Sequence, residues 1–329
     1  MSLRRVLWYE AIYSRLHLPF PIGAALGFVF FVLLFIVSVL GAGLTLDLFY
    51  TQIAGYLPFF FVLNQYVQYT MRYASNRISR LVDERAVSGV TVDYAPLFGL
   101  KGPTIFSIVG YAVFFPLYDS SLLRQGYTLP QVLSIGIIPW LYYAYFFGTL
   151  FWVFAYSSYL VYRMGRLPLE LSHFTEDRTL GLREFGAFQL RLSGIFTVFV
   201  FLFAIPNVLQ GFTEPLFFLL YVGLFLVATP LFVIPLTSLH NKLVAERREV
   251  MVRFSPKYKE MVGKLEAEGA DAVDESLLTR ISVTKQLLQE ASQIHTWPFD
   301  TGIVARFAAV FLSVSAILLS AYLRVLLHI

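Results

Sequence analysis

The chain has 329 residues, of which 57% are hydrophobic and 14% are charged, whereas soluble domains average about 45–50% and about 25%. So few charges cannot cover the surface of a soluble protein of this size, and the apolar content excludes a disordered or nucleic-acid-binding chain. The absence of cysteine excludes disulfides, thiol catalysis and cysteine-ligated metals. The composition therefore predicts an integral membrane protein.

Seven apolar stretches match, or nearly match, the roughly 20 residues that a helix needs to cross a bilayer. They are Pro21 to about Gly43, Ile53 to Tyr73, Pro103 to Tyr118, Leu133 to Tyr162, about Phe185 to Val208, Pro215 to Leu236 and Gly302 to Leu323. The third is short, and if it were re-entrant the count would be six. Because period-2 alternation is absent, helices are the expected solution, and the predicted fold is an all-α polytopic membrane protein.

The basic residues predict the orientation of these spans. Of the 25 Lys and Arg residues, 22 lie in alternate connections, namely residues 1–20, 72–101, 163–191 and 242–300. The opposite connections contain only Arg124 and Arg324, and Arg306 lies at the edge of the last span. Under the positive-inside rule, this asymmetry places the N-terminus in the cytoplasm and the C-terminus outside.

The longest connection is a cytoplasmic insertion of residues 237–300. Its apolar residues at heptad spacing predict that the sixth helix continues into it, turns around Pro256 and residues 263–269, and returns as a second amphipathic helix. The insertion is either a hairpin that packs on its own protein or an oligomerisation platform. The predicted division of the chain is a six-helix bundle (1–236), the hairpin (237–300) and a last transmembrane helix (301–329).

Residues 295–300, which we call the elbow, join the hairpin to the last span. Pro298 ends the cytoplasmic helix because the residue before a proline is pushed out of the α region. Asp300 can cap the seventh helix, and Trp297 has the place of an interfacial aromatic residue. The elbow is predicted to be either a structural joint or a coupler that gates the last helix.

Small residues follow one side of the last span. They are Gly302, Ala305, Ala309, Ser313, Ala316 and Ser320. Such a stripe is typical of close helix packing in lipid. Alternatively, Ala309, Ser313, Ala316 and Ser320 line a narrow pore, with Leu312 or Ile317 as an apolar gate.

Three further sets of residues lie in or near the spans: amides, aromatic residues and prolines. The amides Asn64, Gln65 and Gln68 must face protein or water, because an unpaired amide is costly in lipid. Aromatic residues of the third and fourth spans form either an interfacial belt or a pocket for a small apolar ligand. The pocket candidates are Tyr111, Tyr118, Trp140 and Tyr143. Prolines in or near the spans, among them Pro235, predict kinks.

The chemistry of most enzymes and pumps is missing from the sequence. The span interiors contain no Asp, Glu or Lys, and Arg191, near the start of the fifth span, can reach the interface. This argues against a proton-coupled transporter, a pump and a voltage sensor. Metalloprotease, serine hydrolase, nucleotide-binding and dinucleotide-binding motifs are also absent. We therefore expect no enzyme, no cofactor and no metal.

The predicted layout resembles that of the insect odorant and gustatory receptors, which belong to a seven-transmembrane ion channel superfamily with prokaryotic members. The shared features are a cytoplasmic N-terminus, a long sixth helix, a returning cytoplasmic helix and a final span. The elbow sequence Thr296-Trp297-Pro298-Phe299-Asp300 is similar to a TWPW-like joint of some prokaryotic membrane proteins. Ser320-Ala321-Tyr322 departs from the C-terminal Thr-Tyr motif of the insect receptors. The resemblance implies a tetramer with cation preference, a pore lined by residues 302–323 and subunits tethered by residues 237–300.

These features predict a homo-oligomeric channel in the cell membrane, opened by a small apolar ligand. Its expected partners are copies of itself, lipid and that ligand, with no nucleic acid. A non-conducting scaffold or sensor that docks a partner through the hairpin is the alternative. A facilitator for a lipophilic solute is a third possibility.

Overall fold

The structure is a computed structural model of the full chain. It describes residues 6–43, 57–87, 92–124, 126–209, 222–224, 226–268 and 275–299, and residues 302, 305, 306, 308, 309, 312, 313, 315, 316 and 320 of the last segment. Side chains are described throughout these ranges except in 113–124, 133–140, 143, 203–209 and 228–229.

The described chain is helical. Its helices are α1 (Trp8–Arg15), α2 (Phe20–Gly41), α3 (Leu57–Arg85), α4 (Ala95–Phe98), α5 (Lys101–Arg124), α6 (Leu129–Met164), α7 (Arg183–Leu209), α8 (Ala228–Glu268) and α9 (Glu275–Ser292). The described residues between 302 and 320 are helical as well. These ranges contain no strand, and an isolated bridge joins Ala86 to Leu169. The all-α prediction is confirmed for this part of the chain.

Among the described residues, three helical segments are long and apolar enough to cross a membrane, which supports the prediction of a helical membrane protein. They are Phe20–Gly41, Ala144–Met164 and Arg183–Leu202, and they overlap the first, fourth and fifth predicted spans, each extending one or two residues beyond. Helix α3 contains the second stretch from residue 57 onward, and α5 contains the third. Most of the sixth stretch lies outside the described residues. The seven-span topology and its orientation stay predictions.

Helix α8 runs without interruption from Ala228 to Glu268 and contains Pro235 and Pro256. The sixth helix therefore continues into the insertion, as predicted, and α9 packs against it. The expected turn at Pro256 was wrong, because α8 passes through that residue. Pro256 is exposed, so water can satisfy the carbonyl that its missing N–H leaves free.

The chain divides into two compact units, which we describe separately. Unit 1 comprises residues 1–79 and 93–157. Its core is aromatic: the Phe31 ring stacks on Tyr142 with centroids 4.2 Å apart, and Phe28 and Phe35 of α2 belong to the same buried cluster. The amphipathic helix α1 buries Tyr9 and Tyr13 in this unit.

Unit 2 comprises residues 80–92 and 158–329. Helix α8 packs against α7 and α9, and apolar side chains of α7 and α8 are fully buried, among them Phe185, Phe196 and Leu239. Close backbone approach is required where α8 meets the end of α6, because a Cβ at Gly165 would overlap the backbone of Ser238 and Leu239.

Candidate functional site

The elbow is held by specific contacts in unit 2. His240 Nδ1 of α8 lies 2.6 Å from the carbonyl oxygen of Thr296, and the His240 ring stacks on Trp297 with centroids 4.3 Å apart. The Trp297 ring in turn stacks on Phe299 at 5.4 Å. The elbow is therefore attached to α8 through both its backbone and its aromatic side chains.

Helix α7 and the loop before it form the other side of the elbow. Pro298 is buried, and a Cβ at Gly186 would overlap the Pro298 carbonyl, so only glycine permits this approach. The His295 N–H donates to the Arg178 carbonyl at 2.9 Å. Of the predicted elbow residues, Trp297 and Pro298 thus come together on α7 and α8, whereas Asp300 lies outside the described residues.

The loop of residues 165–182 is ordered around Asp177. Its carboxylate accepts hydrogen bonds from the Thr179 N–H at 2.9 Å and the Gly181 N–H at 2.7 Å. Burial alone would raise the pKa of Asp177, but the hydrogen bonds from Thr179 and Gly181 and the charge of Arg183 lower it overall. Because Arg178 belongs to this loop, the Asp177 contacts support the backbone that binds the elbow.

A lysine fixes the start of the same loop to α8. Lys242 Nζ donates to the Leu167 carbonyl at 2.7 Å. Burial lowers the pKa of Lys242, and the nearby charge of Glu246 partly opposes this shift. The loop, α7 and α8 therefore form one set of contacts around the elbow.

The described positions of the last helix are mostly exposed. The exposed residues are Ala305, Arg306, Ala308, Ala309, Leu312, Ser313, Ala316 and Ser320. At 100° per residue they cover roughly 160° of the helix circumference. The four pore-lining candidates Ala309, Ser313, Ala316 and Ser320 share this side, and Ser313 Oγ donates to the Ala309 carbonyl at 2.7 Å. The gate candidate Leu312 is 66% exposed, whereas Ile317 lies outside the described residues.

The aromatic pocket residues are divided between α5 and α6 of unit 1. Tyr111 of α5 is half-buried, and the side chains of Tyr118, Trp140 and Tyr143 lie outside the described part. Ser107 Oγ donates to the Ala144 carbonyl at 2.7 Å, which joins α5 to α6 beside these positions.

The amides predicted to face protein form a buried chain of hydrogen bonds in unit 1. The Tyr13 hydroxyl donates to Gln68 Oε1 at 3.1 Å, Gln68 Nε2 donates to Asn64 Oδ1 at 3.1 Å, and the Tyr142 hydroxyl donates to the same oxygen at 2.8 Å. Burial raises the pKa of Tyr13 to about 12, and the bond to Gln68 opposes this shift. As predicted, Asn64 and Gln68 face protein, since both are buried. Asn64 Nδ2 and Gln65 Nε2 are also buried, but they have no hydrogen-bond partner in the described structure.

Helix α1 adds an ion pair to this region. The Glu10 carboxylate lies 3.0 Å from Arg72 Nε, and the Arg72 guanidinium lies over the Phe20 ring at 4.7 Å. The Tyr9 hydroxyl donates to the main-chain carbonyl of Gln68 at 3.0 Å. Sequence analysis missed these roles of α1 because it assigned residues 1–20 by charge alone.

Sequence analysis also missed a buried amide in unit 2. Gln189 Nε2 of α7 donates to Ser158 Oγ at 3.0 Å and to the main-chain carbonyl of Leu231 in α8. The available signals were a lone glutamine within an apolar span and the proline at position 235.

Among the described residues, no three His, Asp or Glu side chains are grouped closely enough to hold a metal ion. Comparisons with known protein families, with curated proteins and with solved structures find no match. The candidate site is therefore defined by its own geometry: the elbow, its contacts on α7 and α8, and the exposed side of the last helix.

Proposed function

We propose that this chain assembles with copies of itself into a membrane ion channel lined by the last helix. The observation that carries the proposal is the exposed side of that helix, where the small and hydroxylated residues lie between positions 305 and 320. Small residues allow helices to approach closely in lipid, and hydroxyl groups at the same positions can line a narrow aqueous path.

The exposed side of α2 provides a contrast within the same protein. Its exposed residues are bulky and apolar, with Phe30 at 68% and Val37 at 67% exposure, as expected of a lipid-facing helix. Of the positions of the last helix that the structure describes, eight are exposed, and seven of these lack such a side chain, Leu312 being the exception. This difference favours contact of the last helix with protein or water over contact with lipid.

Arg306 places a charge on the same side of the last helix. It is exposed and lies three residues before Ala309, so it shares the side of the pore-lining candidates. A charged side chain that faces lipid is costly unless it reaches the interface. A water-filled entrance at the elbow end of the helix would accommodate it.

Ion flux in liposomes, measured together with the oligomer mass, tests the proposal. The wild type should form an oligomer that conducts. Ser313→Trp should block flux while the oligomer survives, and Ala308→Trp, at the edge of the exposed side and about 140° around the helix from Ser313, should conduct. Ser313→Asp should shift the cation-to-anion permeability ratio toward cations. A monomeric wild type, or an oligomer without flux under all ionic conditions, would contradict the channel.

A scaffold is the second candidate, and the hairpin favours it. Val252 of α8 and Leu278 and Val283 of α9 are exposed, at 64%, 46% and 51%, which gives a cytoplasmic partner apolar side chains to bind. An oligomer without flux whose assembly depends on these residues would support the scaffold over the channel.

The proposal includes a small apolar ligand bound among the aromatic residues of α5 and α6, and it assigns the chain no enzymatic activity. Tyr111 supports the proposed ligand site, since its side chain is half-buried and therefore partly accessible. Tyr111→Ala should weaken activation by an apolar ligand without changing the conductance of an open channel. Unchanged activation would remove the ligand from the proposal.

A further inference from the structure

The bond between Gln189 and Leu231 replaces one that the α8 helix cannot make. In a regular helix the Leu231 carbonyl accepts from the N–H four residues later. That residue is Pro235, which has no N–H. Gln189 and Pro235 are both buried, so water does not reach this carbonyl easily, and the side-chain amide from α7 supplies the missing donor.

Buried polar atoms without hydrogen-bond partners surround this bond. Gln189 Oε1 and Ser193 Oγ are buried and have no hydrogen-bond partner in the described structure. Both residues are 0% exposed. Unpaired buried polar atoms are costly, so the observed arrangement leaves donors and acceptors that a second arrangement of α7 and α8 can use.

The elbow is attached to α8 on both sides of Pro235. Before the proline, the Phe232 ring lies 5.7 Å from the Phe299 ring. After it, His240 contacts Thr296 and Trp297. A bend of α8 at Pro235 changes the distance between Phe232 and His240, so the elbow must move with it.

We propose that Pro235 is a hinge in α8, that the Gln189 side chain holds it in the observed conformation, and that the elbow transmits its bending to the last helix. Gln189 is a positioning residue in this device, since it acts through the Leu231 carbonyl. The proposal goes beyond channel function and holds for a non-conducting protein as well.

Distances between spin labels in the full-length protein test the hinge. Because the chain contains no cysteine, label pairs at introduced cysteines are unambiguous. One pair joins Val198 of α7 to Arg253 of α8, and a second joins Val198 to Gln293 next to the elbow; all three positions are exposed. Gln189→Leu should add a second population to both distance distributions.

The double variant identifies the cause. Pro235→Ala restores an N–H that can bond the Leu231 carbonyl, so in that background Gln189→Leu should no longer change either distribution. Pro256→Ala in the same helix is the matched control, and there the effect of Gln189→Leu should persist. An unchanged distribution in Gln189→Leu, or an effect that persists in Pro235→Ala, would overturn the hinge.

A measurement that keeps Gln189 tests the hinge even if the Gln189→Leu protein fails to fold. Pro235→Ala alone should narrow the distribution of the Val198–Arg253 pair, because a restored helical bond removes the flexible point. Equal widths in the wild type and Pro235→Ala would overturn the hinge. Both readouts are independent of ion flux, so a silent channel leaves the test intact.

Discussion

Helix α8 contains two prolines whose surroundings differ. Pro235 is buried, and a side chain from another helix, Gln189, bonds the carbonyl that this proline leaves free. Pro256 is exposed, and α8 continues through it to Glu268. Burial therefore decides whether a proline within a helix needs a tertiary partner. Water can hydrate the carbonyl that Pro256 leaves free, whereas the carbonyl that Pro235 leaves free depends on a neighbouring helix.

One of the two largest effects should come from the steric contact at the buried end. Gly186→Ala places a Cβ against the Pro298 carbonyl, and we expect it to lower the free energy of unfolding by about 1–3 kcal/mol. Gly194→Ala in the same helix, where a Cβ meets nothing within 4 Å, should be neutral or stabilising by up to about 1 kcal/mol. Denaturation in detergent measures both, and equal values would show that the elbow contact is not tight.

A second substitution tests how much the buried amide Gln68 contributes to the stability of unit 1. Gln68→Leu removes the partner of both the Tyr13 hydroxyl and Asn64 Oδ1, and it should cost about 1–3 kcal/mol of stability. Gln65→Leu is the matched control, because its Nε2 has no partner in the described structure, and it should change stability little. A larger loss for Gln65→Leu would contradict the assignment of the hydrogen-bond chain.

Acid titration tests the loop that supports the elbow. Because the folded-state pKa of Asp177 is lowered from 3.8, its charged form stabilises the fold above the unfolded value. This contribution is lost as the pH falls through the lowered pKa. Asp177→Asn should therefore be less stable than the wild type at pH 7, and the difference should shrink in acid. The exposed Glu176→Gln serves as control, and a pH-independent difference for Asp177→Asn would count against the carboxylate.

The smallest effect should occur at the exposed end of α8. Lys264 Nζ lies 2.8 Å from the Glu260 carboxylate, and both side chains are largely exposed. The ion pair lowers the pKa of Glu260, but solvent screens such pairs. Lys264→Ala should therefore leave the unfolding curve unchanged within error, and a clear loss of stability would show that the hairpin is packed more tightly than its exposure indicates.

A helix was predictable from sequence where its own run or spacing of apolar residues defines it. Helices α2 and α7 begin and end within a few residues of the predicted first and fifth spans. The first stretch is bounded by prolines and glycines, and the fifth by Arg183 and Gln210. The continuation of α8 and the existence of α9 followed from their amphipathic spacing.

The site was less predictable because its contacts join residues that are distant in sequence. Pro235 was expected to mark a kink, but the choice of Gln189 as donor depends on how α7 packs against α8. In the same way, the glycine at position 186 acquires its role only when the elbow folds back onto α7. The elbow sequence indicated a helix stop and an interfacial aromatic, and the stacking of Trp297 on His240 was not visible in it.

Disulfide cross-linking between subunits in membranes tests the proposed self-assembly through the last helix most directly. The cysteine-free chain permits single substitutions at Ser313, at Ala308 on the edge of the exposed side, about 140° around the helix from Ser313, and at Phe30 of the exposed side of α2. Ser313→Cys should form covalent dimers rapidly on mild oxidation, whereas Ala308→Cys and Phe30→Cys should remain monomeric on denaturing gels. Equal cross-linking at all three positions, or none at Ser313, would contradict assembly through this side of the last helix.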